Sequence, residues 1–200
     1  MRLRGRLTKN LQKAVRMIKV PDANFGKLEQ YISQDDAARI ASELVTCPEI
    51  NTAIAGTICE LSKNHARSVF IPTADMVIDN EGLVYDAFVF CAANYVAQAA
   101  VNKEFAILAR SRTSFYAPLK YGDVLQLEAQ ALFDESARKR EVRVVGMLNE
   151  VKVFEASMDI TVTSEHIFHL KRPDSKETGA ASEKKPLSEE DKMLSALNAV

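Results

Sequence analysis

The chain has 200 residues, of which 47% are hydrophobic and 26% charged, and its formal net charge is −1. That is the composition of an ordinary globular protein with one domain of usual size plus appendages, and it lacks the overall charge that would draw it to nucleic acid. Three cysteines (Cys47, Cys59, Cys91) lie in apolar surroundings with no Cys-x-x-Cys pair, which reads as reduced thiols in a cytoplasmic protein rather than a disulfide framework.

The first twenty residues carry Arg2, Arg4, Arg6, Lys9, Lys13, Arg16 and Lys19 without an acid, while Leu7, Leu11, Val15 and Ile18 recur at helical spacing. Such a basic amphipathic helix packs its apolar stripe on the protein or meets an anionic surface. It lacks the continuous apolar core of a signal peptide. Ser33 is placed to cap a second helix through Leu44, with Asp35 and Asp36 in the first turn where the helix dipole favours acids. Beyond Pro48, Ile50–Leu61 is expected to form a third helix, which makes residues 1–64 a helical N-terminal extension.

Residues 65–170 are read as the core domain, of α+β class. Arg67–Ile78 is expected to be extended, Asp79-Asn80-Glu81-Gly82 a turn, and Asp86 the cap of a helix over Ala87–Val101. That segment is almost wholly apolar and holds six alanines, so it is expected to be enclosed on every side. It is too short to span a bilayer, and no transmembrane segment is expected. The next strand, Phe105–Phe115, would place Phe105, Ile107, Ala109, Ser111, Thr113 and Phe115 on one face, its small members toward the helix. Pro118 removes a ladder donor and Gly122-Asp123 marks a turn. Then Leu125, Leu127, Ala129 and Ala131 alternate with Gln126, Glu128 and Gln130 in a half-buried strand over Val124–Phe133. A polar hairpin loop, Asp134–Lys139, leads to a strand over Arg140–Leu148, and a last strand, Val151–Val162, has Phe154, Ala156, Met158, Ile160 and Val162 on one face. Residues 171–200 form a tail expected to be disordered, with a short amphipathic segment after Ser188.

Within this frame a few residues carry chemistry. Asn94 is a lone amide in an apolar helix, and a buried amide without partners costs about 1–3 kcal/mol, so either the backbone or a ligand must satisfy it. Gln98 stands one turn further on the same face. Asp86 is the carboxylate nearest the helix and serves as a cap or as a general base. Arg138, Lys139 and Arg140 form a basic hairpin that is either solvated or able to meet phosphates. His65, His166 and His169 have no partners at metal-ligand spacing, so no metal site is expected.

A buried apolar helix followed by long strands joined through Pro118-Leu-Lys-Tyr-Gly-Asp123 resembles the hot-dog fold, a curved antiparallel sheet wrapped around a central helix. The likeness covers roughly residues 66–170. Ala93-Asn94 resembles the Ala-Asn pair in the effector domain of the malonyl-CoA-sensing repressor of lipid synthesis. The basic start, the helical leader, Asp86-Ala-Phe and the Pro-Leu-Lys-x-Gly-Asp turn together resemble a flagellum-coregulated, virulence-associated hot-dog family of epsilonproteobacteria. The resemblance implies a homodimer that binds acyl-CoA or acyl-carrier-protein thioesters, a sensor or adaptor linked to flagellar function and virulence. Ligand contacts are then expected from Asn94, Gln98, Arg138, Lys139 and Arg140, with acyl-CoA as ligand and no resident cofactor. Two alternatives stand beside it. An acyl-CoA thioesterase would use Asp86, although Leu83-Val84-Tyr85 replaces the His-Gly-Gly that many such enzymes carry before the helix. An acyl-CoA-responsive DNA-binding repressor would need a helix-turn-helix over residues 34–61, whose second helix would have no Lys or Arg and would carry Glu60.

Overall fold

The computed structural model describes residues 27–132 and 136–170. The chain divides into two compact units, Met1–His166 and Ile167–Val200, and only 167–170 of the second are among the described residues. The expected first helix around Leu7–Ile18 and the tail 171–200 lie outside them.

Helix α1 (Gln34–Glu43) begins where the capping pattern places it. The Ser33 Oγ accepts the Asp36 N–H at 3.1 Å, and Ile40 is the residue the helix buries. Helix α2 (Thr52–Ala55) is a single turn capped by Asn51, and it stops at Gly56. Gly56 has φ +82°, and a Cβ there would stand 2.9 Å from the Val69 carbonyl oxygen, so a side chain is excluded twice over. The expected helix over Ile50–Leu61 is therefore corrected. Residues Thr57–Ser62 form strand β1, in which Ile58 and Leu61 face the core while Glu60 faces solvent. An apolar run of this length fits a buried helix or a strand equally well, and here Gly56 and the β-branched Thr57 and Ile58 favour the strand. No helix-turn-helix exists over 34–61.

The other strands are β2 (His65–Phe70), β3 (Ala106–Phe115), β4 (Leu125–Ala131), β5 (Lys139–Leu148) and β6 (Val151–Val162). They form one antiparallel sheet in the order β1-β2-β4-β5-β6-β3, so β1 and β3 are its edges. The stretch beyond β2 is not extended throughout, because Ala74–Met76 makes a turn of 3-10 helix. Strand β4 shows the expected alternation, with Leu125, Leu127, Ala129 and Ala131 all buried. In the turn before it, Gly122 has φ +94° and Asp123 accepts the Lys120 N–H at 2.7 Å.

Both edges carry a bulge, at Cys59 in β1 and at Ala109 in β3. The bulge in β3 corrects the expected single face. Ser111, Thr113 and Phe115 pair with Met158, Ala156 and Phe154 on the inner side, but past Ala109 that side is taken up by Leu108 and Ala106 instead of Ile107 and Phe105. One extra residue shifts the period-two pattern by one place.

Helix α3 (Asp86–Val101) packs along the inner face, contributing Val89, Ala92, Ala93, Tyr95, Val96, Ala97, Ala99, Ala100 and Val101 to the core. Its alanines let the strands approach closely, opposite Phe70, Leu125, Val142, Phe154 and Met158 in the same cluster. The helix ends at Asn102, φ +46°, whose side chain takes the Val45 N–H at 2.9 Å and donates to the Glu43 carbonyl at 3.0 Å. This ties the end of α1 to the end of α3. A smaller cluster, Leu28, Val69 and Ile71 with Tyr31 and Cys59, includes the chain leading into α1.

Candidate functional site

Enclosure of α3 is incomplete, which corrects the expectation from its apolar sequence. Cys91, Asn94 and Gln98, spaced by helical turns, make a stripe that stays half-buried, with Phe90 beside it also half-buried, while Ala92, Ala93, Tyr95, Ala97 and Ala99 are covered. The polar side chains of an otherwise apolar helix therefore fall on the one side the sheet leaves open.

On that stripe the side chains form a chain of hydrogen bonds. The Gln98 Nε2 donates to Asn94 Oδ1 at 3.3 Å, and the Cys47 thiol donates to Gln98 Oε1 at 3.4 Å. Cys47 itself lies 3.6 Å from the buried Thr46 hydroxyl. Cys47 has φ +46°, a left-handed conformation unusual for a residue with a side chain, and its carbonyl accepts the Ile50 N–H at 3.1 Å. Burial pushes the Cys47 thiol above its ordinary pKa, with the Thr46 contact opposing, so at neutral pH it is protonated and able to donate. Burial also raises Cys91 and the enclosed Tyr95, each further raised by the neighbouring Cys47. These directions describe protonated side chains rather than a primed nucleophile.

Asp86 does not cap the helix. The cap position is Tyr85, which makes no side-chain bond, and Asp86 is the first helical residue, exposed, with its charge toward the positive end of the helix dipole. Eight residues separate it from Asn94, about 12 Å along the axis at about 1.5 Å per residue. The two amides that precede it are already committed, Val84 N–H to the Leu119 carbonyl and Tyr85 N–H to the Met76 carbonyl, both at 2.9 Å.

The basic hairpin also divides. Arg138 and Lys139 are exposed, whereas Arg140 is buried, 1% exposed, and donates to Asn64 Oδ1. Its place in β5 opposite Ile160 puts it on the inner face with Val142 and Val144, so it is no part of a solvated tip. It lines a cleft of about 290 Å³ at the C-terminal end of α3, beside Lys63, Asn64, Asn102 and Lys103. The structure thus brings Asn94 and Gln98 together and leaves Asp86 and Arg140 at opposite ends of the helix. Cys47 and Thr46 escape a sequence reading, since nothing local shows that they reach a helix 51 residues away. Arg140 did leave a signal, because its parity matches that of Val142 and Val144. Among the described residues no cluster of His, Cys, Asp or Glu could hold a metal ion, and no helix is long and apolar enough to cross a membrane.

An antiparallel sheet folded over one long, alanine-rich helix is the architecture of the hot-dog proteins. Known structures agree. Cj0977, a sigma28-regulated virulence protein from Campylobacter jejuni, is 56% identical, with the match covering 70% of this chain and 99% of that one at a TM-score of 0.69. The chain belongs to the hot-dog family that includes this protein. The uncharacterized PH1136 from Pyrococcus horikoshii is 26% identical over 63% of this chain and 96% of its own, TM-score 0.61. At 16% identity, smu.793 from Streptococcus mutans, solved bound to acetyl CoA, shares the fold over 59% of this chain and 96% of its own, TM-score 0.52. A curated relative, methylthioribose-1-phosphate isomerase from Aquifex aeolicus, is 31% identical over 106 residues, 53% of this chain. The chain spans only 23% of that relative's length. No family model matches the chain.

Proposed function

We propose that the protein is a cytoplasmic homodimer that binds acyl thioesters of coenzyme A or acyl carrier protein without hydrolysing them, acting as a sensor or adaptor in flagellar function and virulence. The observation that carries this reading is the Asn94–Gln98 pair, a hydrogen-bonded amide couple on the open stripe of the central helix. The acetyl CoA held by the S. mutans protein of the same fold supports the ligand class, and the virulence role named for Cj0977 supports the setting. Arg138 and Lys139, both exposed, are the cations proposed for the phosphates of coenzyme A.

The absence of turnover is argued from the approach to α3. Thioester hydrolysis in this fold calls for a donor to the thioester oxygen and a base close by. The amides of Val84 and Tyr85 are occupied, and Asp86 stands about two helical turns from Asn94. Two measurements test the proposal together: calorimetry with coenzyme A, acetyl-CoA and longer acyl-CoAs, and release of free thiol from the same panel. Binding without thiol release is expected. Rapid release abolished by Asp86→Ala would establish the thioesterase instead, and no binding of any member would refute the ligand class.

A further inference from the structure

The hydrogen bonds on the open stripe run in one direction. The Cys47 thiol has one proton and gives it to Gln98 Oε1. With its oxygen so engaged, Gln98 presents its amide nitrogen to Asn94 and donates to Oδ1. Asn94 therefore turns Oδ1 toward Gln98 and Nδ2 away from it, and among the described residues none accepts a hydrogen bond from that nitrogen. An isolated amide side chain can rotate to offer either oxygen or nitrogen, because the two ends have the same shape. Here the choice is made by residues behind it.

We infer that Gln98 and Cys47 are positioning residues that fix Asn94 as a hydrogen-bond donor to the carbonyl oxygen of the bound thioester. The inference rests on the acyl-thioester reading above and adds to it what selects the ligand: a carbonyl acceptor is recognised, and a ligand offering only a donor or a methylene at that place is not. The raised pKa of Cys47 agrees, since a thiolate could only accept and would release the Gln98 amide to flip. Cys47, at φ +46°, stands in the left-handed region, and its thiol reaches the helix at Gln98.

The test compares acetyl-CoA with S-ethyl-CoA, a thioether of nearly the same size that lacks the carbonyl oxygen, by calorimetry on the full chain. The parent should favour the thioester about five- to hundred-fold, the value of one such hydrogen bond. Gln98→Glu replaces the amide by a carboxylate that can only accept. Asn94 must then turn its nitrogen inward to donate to Glu and its oxygen outward, so the preference should fall to about one. Any charge repulsion between the new carboxylate and coenzyme A affects both ligands alike and leaves the ratio untouched. Cys47→Ser keeps a donor at the same place and should retain the parental ratio. A folded Gln98→Glu variant with the parent's preference would overturn the inference while leaving thioester binding standing. A parent that binds both ligands equally would do the same, and a parent that binds neither would overturn both.

Discussion

Gly146 is the place where the packing of the sheet against itself can be tested with a single methyl group. It lies on the inner face of β5, opposite Leu127 of β4 and Phe154 of β6. A Cβ built there would be 2.9 Å from the Phe154 Cβ, 3.1 Å from Leu127 Cδ2 and 3.3 Å from Leu125 Cδ1. Carbon atoms rest about 3.5–4.0 Å apart, so Gly146→Ala overlaps most with Phe154. That atom is one bond from the β6 backbone and cannot swing away as a side-chain tip could. The strand itself must give. Overpacking of this kind costs about 1–3 kcal/mol, and replacing a strand glycine returns about 0.5–1 kcal/mol by stiffening the unfolded chain. Taken at their middles these terms leave a net loss of about 1 kcal/mol. For a domain of this size that lowers the melting temperature by about 2–4 °C. Thermal unfolding followed by circular dichroism reads this directly. An unchanged or raised melting temperature would show that β5 and β6 slide apart freely and that the inner face is not closely packed there.

Three further outcomes are expected. Asn94→Asp keeps the acceptor that Gln98 uses but removes the outward donor, so the fold should survive while affinity for acetyl-CoA in calorimetry falls about five- to hundred-fold; equal affinity in a folded variant would remove Asn94 from the site. Sedimentation velocity at micromolar concentration should show a dimer, because among the described residues nothing pairs with the outer edge of the ten-residue β3, and a purely monomeric species would refute this. Hydrogen bonds from Lys152 and Arg143, with Tyr116, hold the Glu155 carboxyl at about 2, below its ordinary 4.5. A depressed folded pKa gives stability that is present above pH 4.5 and lost as the pH falls through 2. The melting temperature of Glu155→Gln should therefore trail the parent at pH 5 and meet it near pH 2, whereas a gap that persists at pH 2 would assign Glu155 a role other than its charge.

Where local chemistry decides local structure, the sequence is readable. Ser33 followed by two aspartates marks the start of α1, the alternation of β4 marks its buried face, and the glycine at 122 marks the turn. Reading fails where a distant contact decides. Ile50–Leu61 has the composition of a buried helix, and its pairing with the distant β2, together with Gly56 and the β-branched Thr57 and Ile58, makes Thr57–Ser62 a strand. The site divides the same way. Asn94 and Gln98 stand out as polar residues in an apolar helix, but that they occupy the open side, and that a thiol from residue 47 orders them, depends on how α1 and α3 are tied through Asn102. The hairpin cations Arg138, Lys139 and Arg140 are neighbours in sequence, but the parity of β5 separates them, sending Arg140 inward while Lys139 points out.

The bulge at Ala109 bears on how this strand can change length over evolutionary time. Arg110 pairs with Asp159 and Leu108 with Ile160, so Ala109 is the single surplus residue between two otherwise regular stretches of ladder. Deleting it would bring Leu108 and Arg110 into direct succession while each kept its partner and its side of the sheet. A chain one residue shorter at this point would have the same core and the same inner Ser111 and Thr113. A gap in an alignment of this strand therefore belongs at position 109 on backbone grounds, even where the surrounding apolar residues would allow it to be slid along the sequence.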